Sequence, residues 1–145
     1  RDAQESRGLG DVYKRQWQDL LVDQGISYEE GEKAARSAVA LAAAHTLAQG
    51  GVVAMAGDQE DAQAGQPAII GDRMHHLVAG FAELAVSTGA AILPFYTQLL
   101  PDGRIQIRFL SSLLWDKGGD RQTQVREIVA RYAAVQTQLC LYFAV

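Results

Sequence analysis

The chain is 145 residues long, with 48% hydrophobic and 21% charged residues, enough for one domain with one core and unlike a disordered segment. A formal net charge of -4, with no basic stripe and no RNP-like aromatic motif, argues against a nucleic-acid partner. The single cysteine, Cys140, excludes an internal disulfide and a cysteine-rich metal site, and no run of about 18 apolar residues is present to form a transmembrane helix.

Residues 1–16 are polar, contain glycine and show no hydrophobic period. Their end, Gly10-Asp11-Val12-Tyr13-Lys14-Arg15-Gln16, resembles the translation of a transposase mosaic-end adapter used in DNA library preparation. Residues 1–16 therefore read as a non-native leader, and 17–145 as a partial α/β domain whose true N-terminus is missing. Residues 17–26 form a short amphipathic piece, strand or broken helix, with Leu20, Leu21, Val22 and Ile26 as its apolar positions. Ser27-Tyr28-Glu29-Glu30 has the form of a capping box. The helix it opens runs to about Gln49, with Ala35, Ala38, Val39, Ala42 and Thr46 on one stripe and Gly50 as its stop. His45, a lone helical histidine, reads as structural or solvated.

Apolar residues then run from Val52 to Ala56 without alternation, between Gly50-Gly51 and Gly57-Asp58-Gln59. That pattern predicts a central parallel strand buried on both faces. Ligands bind outside the carboxyl ends of such strands, which makes Asp58 and Gln59 the expected functional edge. A polar loop over 60–66 follows. Next comes a short extended piece, Pro67-Ala68-Ile69-Ile70, closed by Gly71. Asp72-Arg73 leads into a helix expected over 74–88, with Met74, Val78, Phe81, Ala82 and Ala85 inward, Gly80 in its interior and Gly89 as its end.

Residues 90–100 read as a second apolar strand, with Pro94 marking a strand end, an edge or a bulge. The turn Pro101-Asp102-Gly103 joins it to an alternating strand over 104–110. Ile105, Ile107 and Phe109 share one face of that strand, and Arg104, Gln106 and Arg108 the other, so half of it is exposed. The expected fold class is thus α/β, a mixed and partly parallel sheet flanked by helices. After the break Lys117-Gly118-Gly119, Asp120 caps a last helix from Arg121, with Val125, Ile128, Val129, Tyr132 and Gln136 inward. Cys140, in the apolar end, reads as a buried thiol. The apolar stretch 139–145 has no polar tail, which points to truncation there as well.

This order of elements resembles the second half of the lysophospholipid (glycerolipid) acyltransferase fold, in its lipid A lauroyl/myristoyl acyltransferase branch. The residues that carry the resemblance are Leu47, Gly50, Gly51, Asp58, Gln59, Gly71, Gly80, Leu84-Ala85, Thr88-Gly89-Ala90, Ile92-Leu93-Pro94 and Pro101-Asp102-Gly103. It covers about 34–131. It implies a membrane-associated enzyme at the cytoplasmic face of the bacterial inner membrane. Such an enzyme moves a fatty acyl group from an acyl carrier protein or coenzyme A thioester to a lipid hydroxyl, on a lipid A precursor or lysophospholipid. The implied partners are the acceptor lipid, the acyl thioester, acyl carrier protein and a membrane surface; no resident cofactor or metal is implied.

The family's base is a histidine followed, after four residues, by an acid that orients and stabilises it. Here His45 would need its acid at Gly50, His75 at Gly80 and His76 at Phe81, so no catalytic residue is assigned in this chain. The resemblance leaves Asp58, Gln59, Gly71 and Arg73 as candidate substrate-binding residues. Asp58 and Gln59 read either as substrate-positioning groups or as a turn cap with a solvated amide. Gly71 reads more as scaffold than as contact. Arg73 reads either as a bidentate holder of a lipid phosphate or as an exposed arginine. Adjacent His75 and His76 point about 100° apart on a helix, which disfavours joint metal binding. Two other readings compete: a non-enzymatic α/β module binding a phosphorylated or lipid ligand at the Asp58 strand end, and a catalytically dead family member that still binds lipid. Neither a Gly-rich phosphate loop nor a nucleophile elbow is present.

Overall fold

The computed structural model describes residues 28–143. The leader, the piece 17–26 and the capping box led by Ser27 lie outside them. The chain divides into two compact units at His45/Thr46. The first consists, among the described residues, of most of helix α1 (Tyr28–Ala48). Its expected inner stripe is exposed at Ala38, Val39 and Ala42. α1 ends as the glycines require. Gly50, at φ +77°, donates to Leu47 O at 3.0 Å and Gly51 donates to Thr46 O at 2.9 Å, the paired bonds of a Schellman cap.

The second unit contains β1 (Gln66–Ile70), β2 (Arg73–Leu77), α2 (Gly80–Thr88), β3 (Phe95–Leu99), β4 (Ile105–Phe109) and α3 (Arg121–Phe143). It is a mixed α/β unit with two antiparallel hairpins, β1-β2 and β3-β4. α3 is its organising element. Val125, Ile128, Val129 and Ala133 of α3 are buried against Ala68 and Leu77 of the first hairpin, Ala82 of α2 and Leu113. Asp120 starts α3 as expected, accepting from Thr123 N (2.9 Å) and from Thr123 Oγ1 (2.8 Å). Arg121 Nε donates to Glu83 Oε2 at 2.8 Å, tying the start of α3 to α2. Gly71 N donates to Thr137 Oγ1 at 2.8 Å, tying α3 to the first hairpin's turn.

The structure corrects four expectations. The run 52–56 is not a strand: it has no regular secondary structure and joins no ladder, and Val52 is 90% exposed. A strand buried on both faces needs a neighbour on each edge. No parallel pair occurs among the described residues, so the partly parallel sheet of the expected fold class is not part of this architecture. Second, residues 73–77 are strand and not helix. Gly71 has φ +64° and Asp72 does not share a positive φ, the pattern of a two-residue II′ turn that folds β2 back on β1 with Ile70 opposite Arg73. Gly80 consequently opens α2 instead of interrupting it. Third, the apolar face of β4 is the open one. Ile105, Ile107 and Phe109 are all exposed, opposite Leu99, Thr97 and Phe95 of β3, which are exposed too. Fourth, Cys140 is exposed.

Candidate functional site

Within the second unit an apolar trough of about 570 Å³ lies against α3, a size suited to a small-molecule ligand. Its lining comes from two runs, 53–58 and 90–97, with Phe81 and Ala85 of α2 and Tyr132, Val135 and Leu139 of α3. Each run follows the end of a helix. Gly51 releases the first from α1. Gly89, at φ +72° and bonded to Ala85 O at 2.8 Å, ends α2 and releases the second. The bridge of Ile92 to Leu113, with Leu113 N on Ile92 O at 2.9 Å, anchors the second run. Pro94 lies at the start of β3, and its carbonyl accepts from Leu110 N at 2.8 Å.

Among the described residues five polar side chains belong to the lining, Asp58, Tyr96, Thr97, Tyr132 and Gln136. The Gln136 amide Nε2 donates to Tyr132 Oη at 3.0 Å. The Phe81 ring lies 5.1 Å from the Tyr132 ring, tilted by 57°. On the other side the phenol closes on Gly57, where an added Cβ would stand 2.7 Å from Tyr132 Cζ. Burial pushes the Tyr132 phenol up, the Gln136 bond works against that, and the Asp58 charge adds to the rise. Among the described residues no Lys, Arg or His side chain lines the trough.

Of the residues singled out from sequence, Asp58 lines this trough and Gln59 follows it at the rim, its carbonyl accepting from Val78 N at 2.8 Å. Gly71 and Arg73 do not line it. Gly71 makes the β1-β2 turn, and the Arg73 guanidinium, 83% exposed, lies 4.0 Å from Asp72. Tyr132 and Gln136 were expected only as core. Their signal was there: two polar-tipped side chains one helical turn apart on an otherwise apolar stripe.

The histidines lie elsewhere. His75 Nδ1 is 2.8 Å from Glu60 Oε1. A carboxylate only accepts, so this nitrogen carries the proton. The bond to His75 is the main reason the Glu60 carboxyl sits below its usual range. This pair joins the strap that follows Asp58 to β2, where Asp61 N donates to His76 O at 2.9 Å. Among the described residues no three His, Cys, Asp or Glu side chains gather into a metal-binding group, and no helix is long and apolar enough to cross a membrane. No protein-family model, curated protein or solved structure matches the chain.

Proposed function

We propose that this chain forms the acyl-holding side of a lipid acyltransferase, one that moves a fatty acyl group from an acyl carrier protein or coenzyme A thioester to a lipid hydroxyl at a membrane surface. The observation that carries the reading is the trough: about 570 Å³ lined mostly by apolar side chains, with the hydrogen-bonded pair Tyr132 and Gln136 and the acid Asp58 in its lining. An alkyl chain gains roughly 0.8 kcal/mol for each methylene it buries, and its polar end needs a hydrogen-bonding group where the apolar lining stops. Asp58, singled out from the sequence, is one of the polar residues of the lining. His45, His75 and His76 do not line the trough, so the general base of the transfer belongs to residues beyond this constellation. Gly71 and Arg73 belong in this reading to the scaffold, and Arg73 is not offered a phosphate by the trough.

The test is a titration with S-acyl-N-acetylcysteamine thioesters of increasing chain length. Affinity rises with each methylene until the trough is filled and then levels off. Ala91→Trp, which places an indole on an exposed position of the trough wall, weakens the longer thioesters most. Affinity independent of chain length in the wild-type chain would overturn the reading. The competing module that binds a phosphorylated ligand gains nothing from a lining that has, among the described residues, an acid and no cation. A lipid-binding module without catalysis shares the trough, and acyl transfer by a protein carrying both this unit and a histidine–acid pair separates the two.

A further inference from the structure

We propose that Tyr132 donates a hydrogen bond to the carbonyl of an uncharged acyl ester or thioester, and that Asp58 beside it turns ionised fatty acids away. The proposal rests on the trough being an acyl site and names what that site selects.

Tyr132 Oη already accepts from the Gln136 amide at 3.0 Å, so the phenolic hydrogen must point elsewhere. Among the described residues Tyr132 Oη donates no hydrogen bond, and the half-buried phenol is open to an acceptor from outside the chain. The ring cannot easily swing to find one. Phe81 packs on it at 5.1 Å, and the Gly57 backbone is so close that a Cβ there would stand 2.8 Å from Oη. A donor held in this way inside an apolar trough suits an acceptor brought in by the ligand.

Charge then narrows the ligand. Among the described residues the lining has no Lys, Arg or His, and Asp58 places a negative charge near enough to influence the phenol. A carboxylate entering beside Tyr132 would meet a like charge with no cation among these residues to offset it. An ester or thioester carbonyl has the same acceptor oxygen and no charge. It takes the Tyr132 hydrogen bond without the repulsion.

Three ligands with the same alkyl chain separate the contributions: S-octanoyl-N-acetylcysteamine, its S-octyl thioether analogue that lacks the carbonyl, and octanoate. In calorimetric titrations at neutral pH the thioester binds the wild-type chain about fivefold or more tighter than the thioether, the scale of one well-made hydrogen bond. Tyr132→Phe keeps the ring and abolishes this preference, and its unfolding midpoint in urea reports that the variant is folded. Octanoate binds weakest, and Asp58→Asn narrows its gap to the thioester. A carbonyl preference that survives Tyr132→Phe, or octanoate binding as tightly as thioester, would overturn the assignment. Equal binding of thioester and thioether to the wild type removes the Tyr132 role and leaves the acyl trough standing. No binding of either removes the trough reading itself.

Discussion

At the scale of single residues, two glycines of the first hairpin do different work. Gly71 has open space around it and φ +64°, so alanine there meets only the backbone penalty of the left-handed region, about 1 kcal/mol. Gly65 has an ordinary φ, but a Cβ would run into the carbonyl oxygens of His76 and Asp61. These are backbone atoms of the contact that holds the strap on β2, so Gly65→Ala is expected to cost roughly 1–3 kcal/mol. The two variants differ in signature as well as size. In amide exchange, Gly65→Ala exposes the Asp61 amide while Gly71→Ala leaves it protected. The Glu60–His75 pair adds a pH dependence at the same place. Glu60 titrates lower in the folded chain than in the unfolded one. Its contribution is therefore present above the usual carboxylate range and lost as pH falls through the folded value. The protection of Asp61, normalised for intrinsic exchange, should fall in acid, and Glu60→Gln should remove that fall. A protection factor flat across this range in the wild type would show that the pair does not hold the strap.

At the scale of elements, α3 decides whether the second unit exists. Ile128 and Val129 are fully buried in the centre of its core, and Ile128→Ala is expected to destabilise by about 2–5 kcal/mol, measured by urea unfolding. Asp120→Ala removes the cap at the start of α3 and should lower the melting temperature. The Asp120 carboxyl is held below its usual range by the Thr123 amide and hydroxyl. The cap's contribution is therefore present above that range and lost towards acid, where wild type and variant should converge. Much of this helix was legible beforehand, because Asp120, the glycine break before it and the 125/128/129/132 stripe all agree in period. The β1-β2 hairpin was less so. Residues 73–77, Arg-Met-His-His-Leu, place Met74 and Leu77 three apart as a helix would and show no strand alternation, so only the pairing with β1 across the short Gly71-Asp72 turn makes them a strand.

At the scale of the whole molecule, the β3-β4 hairpin presents an open apolar face made by Phe95, Leu99, Ile105, Ile107 and Phe109, from 46% to 72% exposed. Faces of this kind promote association. Ile107→Lys should reduce concentration-dependent light scattering without lowering the melting temperature, since the side chain is already more than half exposed. Sequence by itself determined the local events: where α1 stops, where α2 ends, the hairpin turn at Pro101-Asp102-Gly103, and the start and inner stripe of α3. Each follows from dihedral freedom, capping or period within a few neighbouring residues. Only the tertiary structure decided that 52–56 stays outside any sheet among the described residues, that the apolar face of β4 is exposed, and that Tyr132 and Asp58 line one trough. An apolar run states that it needs a partner without naming one. Strand pairing and the sharing of one lining by residues 74 positions apart (Asp58 to Tyr132) depend on which surfaces the folded chain brings together.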